Sequence, residues 1–266
     1  MRIGSLFSGI GGFDLAAEWY GWETAWYSEI DPYARQVMAL RFPGVPNHGD
    51  ITKIRGADVE PVDLLCGGFP CQDISTAGKG VGLHGSRSRL WFEFARLIGE
   101  IRPKWVVAEN VPALRGRGLT RVLQDLDALG YDAEWHCIPA SAVGAPHQRD
   151  RIWIVAYPNG ERLEGRNREV LSERPGELPV GEGGSLAYPR CGLWPSIWAE
   201  PEPNQPLSQL HHQRCREKNG WQWLSEPNVG RVATGVPSRV DRLRCLGNAL
   251  VPEIPYRIFR AIDEMG

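Results

Sequence analysis

The feature that most constrains this chain is a repeated change of hydrophobic period across its first 156 residues. Short apolar runs of strand type alternate with stretches whose apolar residues recur at helical spacing, and glycine or proline separates most of them. Ile3–Phe7 is one such run; it ends in Ser8-Gly9-Ile10-Gly11-Gly12 and is followed by a helical stretch from Phe13 to Tyr20. Thr24–Tyr27 predicts the next strand, and Pro32 to Leu40 a helix with proline in its first turn. Val62–Cys66 predicts a buried strand that stops at Gly67-Gly68. Leu90–Ile101 is helical, Trp105–Ala108 a strand, and Leu119–Leu129 a helix closed by Gly130. Ala133–Ile138 and Ile152–Ala156 predict two more strands. Alternation of this kind specifies the α/β class: a doubly wound, mainly parallel sheet with helices on both faces.

At Tyr157-Pro158-Asn159-Gly160 the pattern breaks, and prolines and glycines stay dense to about Gly230. Trp194, Trp198, Trp221 and Trp223 fall in this stretch and need somewhere to pack, so it reads as a small, loop-rich second domain. The regular pattern returns at Leu246, and Ile254 to Met265 predicts a closing helix. The division is therefore 1–156 plus 231–266 for the main domain and 157–230 for the second.

Composition bounds the function. No run of eighteen apolar residues is present, and the N-terminus has no signal-peptide h-region, which predicts a cytoplasmic protein without a membrane anchor. The six cysteines form no C-x-x-C pair, as expected of free thiols. Cys191, His211, His212 and Cys215 invite comparison with a zinc site, but only His212 and Cys215 have tight ligand spacing, so no metal is expected. A net charge of −2 argues against a uniformly basic nucleic-acid binder. Between Thr76 and Arg121, however, nine basic residues face only Glu93, Glu100 and Glu109. That is either a solvated helix face or a strip that meets phosphates.

Three sets of residues carry chemistry. Gly9, Gly11 and Gly12 lie between a strand and a helix, where a backbone without Cβ atoms can approach a nucleotide. Glu29 follows the second strand at the distance of a ribose-binding acid, a pattern that suits a nicotinamide enzyme equally well. Asp50 is either a partner for an adenine amino group or a turn residue. The decisive set is Gly67-Gly68-Phe69-Pro70-Cys71-Gln72, placed beyond a strand's carboxyl end, where ligands of such sheets sit. A single cysteine is more often a small buried hydrophobe than a catalyst. Cys66 fits that description; Cys71, in a loop shaped by glycine and proline, does not.

With these residues in place, the chain resembles the C5-cytosine DNA methyltransferases. Phe7-Ser8-Gly9-Ile10-Gly11-Gly12 is similar to their cofactor loop, and Glu29 and Asp50 to their ribose- and adenine-binding acids. Gly68-Phe69-Pro70-Cys71-Gln72 resembles the catalytic loop, Glu109-Asn110-Val111 the second catalytic motif, and Arg149-Asp150-Arg151 the R-x-R motif. Gly247-Asn248-Ala249-Leu250-Val251-Pro252 resembles the C-terminal motif, whose asparagine lies near the cofactor. Six motifs in the family's order cover Arg2 to Ala156 and about Arg231 to Glu264. There are departures: His147 stands where many members have glutamine, and Ile30 where some carry an aromatic against the adenine.

The resemblance implies a Rossmann-like fold, S-adenosylmethionine as methyl donor and double-stranded DNA as substrate. It implies Cys71 as the thiolate that adds to C6 of a flipped-out cytosine, and Glu109 as the acid at N3. Arg149 and Arg151 orient the base or the carboxylate; on a strand, however, they face opposite sides and need not share a role. Phe7, Ile30, Ile51, Pro70, Leu90 and Asn248 join the glycines, Glu29 and Asp50 as cofactor contacts. Gln72, Ser75 and Arg87 are the implied DNA contacts, in a glycine- and arginine-bearing stretch suited to close over a duplex. Residues 157–230 take the place of the family's target-recognition domain. A monomer is expected, with a cognate restriction endonuclease as a possible partner acting on the same site. An RNA cytosine methyltransferase is the alternative, but its Cys-Phe-Thr tripeptide is absent. A non-catalytic binder would not need both Cys71 and Glu109, and a nicotinamide oxidoreductase would have no use for Phe69-Pro70-Cys71-Gln72.

Overall fold

The computed structural model describes residues 1–70, 89–160 and 237–265. Strands β1 (Arg2–Leu6), β2 (Glu23–Ser28), β3 (Leu64–Gly68) and β4 (Trp105–Asn110) alternate with helices α1 (Gly12–Tyr20), α2 (Pro32–Arg41) and α3 (Arg89–Ile101). Then come a single helical turn α4 (Leu114–Arg117), helix α5 (Leu119–Ala128), and strands β5 (Tyr131–Ile138) and β6 (Arg151–Pro158). Helices α6 (Arg239–Asn248) and α7 (Glu253–Asp263) close the described chain.

These elements form a six-stranded sheet in the order β2-β1-β3-β4-β6-β5. The first four strands are parallel, whereas β6 runs antiparallel between β4 and β5. The sheet is thus parallel through its crossovers and turns antiparallel where β5 and β6 follow each other without an intervening crossover helix.

Alternation along the strands separates two cores. Leu65, Val106, Ala108, Ile152 and Ile154 pack with residues of α3 and α5. Leu64, Cys66, Trp105, Val107, Trp153 and Val155 pack with Phe13, Ala16 and Ala17 of α1 and with Ile254, Ile258, Phe259 and Ile262 of α7. Both faces are covered, as the sequence predicts. Docking of α7 on α1 brings the end of the chain back to its start: Tyr20 Oη donates to Asp263 Oδ2 at 3.1 Å. Cys66 is fully buried, and burial pushes its thiol pKa well up, as befits a core residue.

The structure shifts three boundaries. β6 extends to Pro158, so Tyr157 belongs to the sheet, pairing with Asp132 and lying 5.5 Å from the Trp105 ring. β4 includes Glu109 and Asn110. Helix α6 begins seven residues before Leu246 because Arg239, Asp241, Arg242 and Arg244 interrupt its apolar period. Among the described residues no helix is long and apolar enough to cross a membrane, and no cluster of side chains could hold a metal ion. Cys191, His211, His212, Cys215 and the four tryptophans of the second domain lie outside the described residues.

Packing beneath the site is tight at Gly4 in β1, where an added Cβ would lie 2.6 Å from the ring of fully buried Trp26. That ring is held in place because its Nε1 donates to Glu60 O at 2.8 Å. Overpacking of this kind costs about 1–3 kcal/mol. Gly4→Ala is therefore expected to lower stability by that amount in urea unfolding; a loss below about 0.5 kcal/mol, the ordinary surface effect, would contradict the packing described.

Candidate active site

The carboxyl ends of β1 to β4 open into one cleft of about 390 Å³, a size in the usual range for small-molecule sites. At one end the chain leaves β1 through Phe7 and Gly9, with φ of 52° and 56°. For phenylalanine this is a strained conformation, held by its surroundings. The Gly9 N–H donates to Glu29 Oε2 at 2.7 Å, and the Asp31 N–H to Glu29 Oε1 at 2.7 Å. Glu29 thus ties the glycine loop to the start of α2, while each of its oxygens retains capacity to accept from a ligand.

The other loops are fixed similarly. Asn47 Oδ1 accepts from the backbone of Glu29 and Gly49, and Ser28 Oγ donates to Gly49 O at 2.7 Å. Nothing in the spacing of Asn47 or Ser28 marks them in the sequence. Asp50 caps a 3₁₀ turn: its Oδ1 accepts from the N–H and hydroxyl of Thr52, which lowers its pKa. Oδ2 accepts nothing among the described residues, so Asp50 can be both turn residue and ligand acceptor.

The glycines divide their work. Gly11 does not line the cleft; it starts α1 with φ 85°, and an added Cβ would strike Met38 and Phe42. At Gly12 a Cβ would come 2.7 Å from Leu250, so this glycine admits the C-terminal motif to the cleft wall.

At the far end stands Glu109, its side chain 13% exposed. Arg151 Nε lies 2.8 Å from Glu109 Oε1, and a Cβ at Gly68 would lie 2.9 Å from Oε2. The second glycine of the Gly67-Gly68 pair therefore leaves room for the carboxylate. Burial raises the Glu109 pKa to about 7, against the opposing pull of Arg151 and Arg149. Neighbouring Asn110 is buried; its Nδ2 donates to Phe69 O at 3.1 Å and its Oδ1 accepts from Val111 N. It pins the exit of β3 one residue before Pro70, a positioning role the sequence does not announce.

The two arginines do not alternate along a strand as the sequence reading supposes. Arg151 begins β6, but Arg149 precedes it in a left-handed conformation, φ 38°. Arg149 Nη2 donates to Gly247 O at 2.8 Å and to Ala249 O, which fastens the C-terminal motif over the cleft. One arginine serves the carboxylate and the other the wall.

Of the residues singled out in the sequence, Phe7, Gly9, Gly12, Glu29, Ile30, Asp50, Ile51, Pro70, Leu90, Glu109, Arg151 and Asn248 line the cleft together. Gly11 and Arg149 stand behind it. Cys71, Gln72, Ser75 and Arg87 lie outside the described residues, Cys71 being next in sequence to Pro70. Arg244 and Cys245 of α6 line the cleft and were not foreseen. Acceptors at Glu29 and Asp50, a glycine-shaped turn and a cleft of this size fit an adenosyl cofactor.

The raised Glu109 pKa has a signed consequence for stability. Folding strengthens proton binding here, so the carboxyl's contribution is most favourable at low pH and is lost as pH rises from the unfolded value through about 7. Glu109→Gln, which mimics the protonated form, is expected to be about 1–3 kcal/mol more stable than wild type at pH 8, with the gain fading towards pH 5. Urea unfolding across this range checks it; a destabilised variant at pH 8 would contradict the burial penalty.

Comparison with known proteins agrees with this geometry. Residues 1–183 match the family model for C-5 cytosine-specific DNA methylases. The chain is 41% identical to the type II methyltransferase M.NgoBI of Neisseria gonorrhoeae, over 97% of this chain and 86% of that protein. It is 37% identical to the type II methyltransferase M.HhaI of Haemophilus parahaemolyticus, over 62% of this chain. That alignment spans about half, 51%, of the Haemophilus protein, and a 38% match to M2.BsuMI of Bacillus subtilis spans 42% of that one. Among solved structures, a prophage-encoded E. coli protein described as a candidate DNA modification methyltransferase aligns with 27% identity and TM-score 0.51, over 59% of this chain and 47% of that one. The Spodoptera frugiperda DNMT2 structure, 21% identical with TM-score 0.52 over 63% of this chain and 53% of that one, shares the fold. The chain belongs to the C-5 cytosine-specific DNA methylase family.

Proposed function

We propose that this protein transfers a methyl group from S-adenosylmethionine to C5 of a flipped-out cytosine in a short site of double-stranded DNA. The observation that carries the reading is the largely buried Glu109, with its pKa raised to about 7, at the end of a cleft whose other end bears Glu29 and Asp50.

The chemistry assigns each group a task. C5 of cytosine is a poor nucleophile until C6 is attacked. The Cys71 thiolate bonds to C6, and Glu109 supplies a proton or a strong hydrogen bond at N3, so electron density moves to C5. Arg151 holds the carboxyl in place by a charge-assisted contact. When bound, S-adenosylmethionine supplies an electrophilic methyl group on its sulfonium. After transfer, C5 gives up its proton to water, Cys71 departs as the thiolate and N3 returns its proton to the Glu109 carboxylate, which restores the ring. Pro70 and Asn110 position the loop that leads into Cys71. Glu29, Asp50, the glycine turn and the α6 wall hold the cofactor. A stacked base cannot reach such a site, so the cytosine leaves the duplex.

Residues 157–230 read the DNA site in this proposal. Their place between β6 and the C-terminal motif supports this, as do Arg162, Arg166, Arg168, Asn204, Gln205, Arg214, Arg216 and Asn219, side chains suited to base edges and phosphates. The named type II relatives support a role in restriction and modification, with a partner endonuclease cutting the same site. The chain acts in this reading as a monomer in the bacterial cytoplasm.

Bisulfite sequencing of DNA from cells expressing the chain tests the activity and gives the site at once. The expected result is one short methylated sequence, which moves when residues 157–230 are exchanged for those of a relative. Purified protein should also form a covalent adduct with duplex DNA carrying 5-fluorocytosine at that site, because fluorine does not leave as a proton does. Cys71→Ser should lose both adduct and turnover. Methylation of tRNA in place of duplex DNA, or an adduct formed by Cys71→Ser, would refute the assignment.

A further inference from the structure

Methyl transfer leaves one buried carboxylate unused. Asp14, in the first turn of α1, is 1% exposed, and Ser5 Oγ of β1 donates to its Oδ2 at 3.0 Å. Its Oδ1 has no hydrogen-bond partner among the described residues. Burial raises the Asp14 pKa to about 6, against the pull of the Ser5 and Thr24 hydroxyls. At neutral pH the group is therefore charged, and a buried charge with an unmet oxygen is costly unless a ligand meets it.

Asp14 lines a second groove, which shares no residue with the first cleft. This groove lies by the amino ends of β1 and β2, whereas the cleft lies at the carboxyl ends of the strands. Glu18, one turn along α1 from Asp14, lines it too, as do Glu23 and Glu60. Arg2 pairs with Glu23 and Glu60, and Arg41 with Glu18. Four carboxylates thus stand against two guanidinium groups, an excess of two negative charges. No three acids among the described residues are placed to share a metal ion. The facing wall is apolar, made by Phe42, Pro43, Val45 and Pro46. An unmet carboxylate oxygen, an excess of two charges and an apolar wall suit two ammonium groups joined by a hydrocarbon chain.

We propose that this groove binds a linear aliphatic diamine or polyamine, with one ammonium on Asp14 Oδ1 and the methylene chain along Phe42 to Pro46. The Thr24 hydroxyl, also in the groove, can accept from the same ammonium. The second ammonium reaches Glu18 or Glu23, whose side chains are 48% and 70% exposed. The ligand is bound unchanged, and the inference does not depend on the reading of the cleft.

Calorimetry of the full chain without DNA, at matched ionic strength, tests it with 1,4-diaminobutane and spermidine, and with 1-butylamine and magnesium chloride as controls. Each polyvalent amine should bind one to one and more tightly than butylamine. Asp14→Asn should weaken binding about tenfold to hundredfold, the loss of a charge-assisted bond, whereas Glu18→Gln or Glu23→Gln should cost only about twofold to fivefold. Only the charged carboxylate meets an ammonium, so wild-type affinity should fall as pH drops through about 6. Cys66 and Tyr27, the other titrating groups that sense the Asp14 charge, have raised pKa values and stay neutral there. Asp14→Asn should lose this pH dependence; if that variant does not fold, the wild-type pH profile and the two exposed-acid variants decide. Wild type that binds neither amine, binding unchanged in Asp14→Asn, a flat pH profile in wild type, or equal binding of butylamine would each overturn the proposal. So would displacement of the diamine by magnesium, which would reduce the groove to a screened acidic surface.

Discussion

The site depends on keeping a carboxylate out of water beside a guanidinium. Glu109 is costly to charge where it stands, and Arg151 and Arg149 offset only part of that cost. The strand topology creates this balance. A parallel neighbour would bring the end of its own strand to the end of β4. Because β6 runs antiparallel, with Asn110 opposite Ile152, its first residue, Arg151, arrives beside Glu109. Gly68, opposite Glu109 on the other side in β3, keeps the space clear. The change from parallel to antiparallel pairing at β4 is what builds the acid site.

The end of the cleft that bears Glu29 and Asp50 depends on the return of the chain to its start. α7 packs on α1 through the core beneath β1, and Leu250 settles where Gly12 has no side chain. Arg149 then fastens Gly247 and Ala249. As a result, residues more than 200 positions from the glycine loop form the opposite wall of its cleft. Both ends of the cleft are thereby fixed to the same sheet, which sets the spacing between Glu29 and Glu109.

Much of this was legible in the sequence, for identifiable reasons. Strands such as Leu64–Gly68 are buried on both faces and appear as uninterrupted apolar runs. Pro32 and Gly130 mark helix limits because their backbones permit little else or are needed in a left-handed turn. Asn47, Asn110 and Arg149 were opaque in role because they act on backbone atoms distant in sequence, which no local pattern encodes. Arg149 also defeated the strand-face argument, since its positive φ places it before β6. α6 was missed in part because charged residues interrupt its apolar period and Cys245 is its one buried residue.

The claim on which the account turns is that Glu109 keeps a proton near neutral pH. Infrared difference spectroscopy of wild type against Glu109→Gln, followed over pH, isolates the carboxylic C=O band of this one side chain. The account predicts a protonated band at pH 5 to 6 that converts to carboxylate with a midpoint near 7. A midpoint near the ordinary glutamate value of about 4.3 would contradict it.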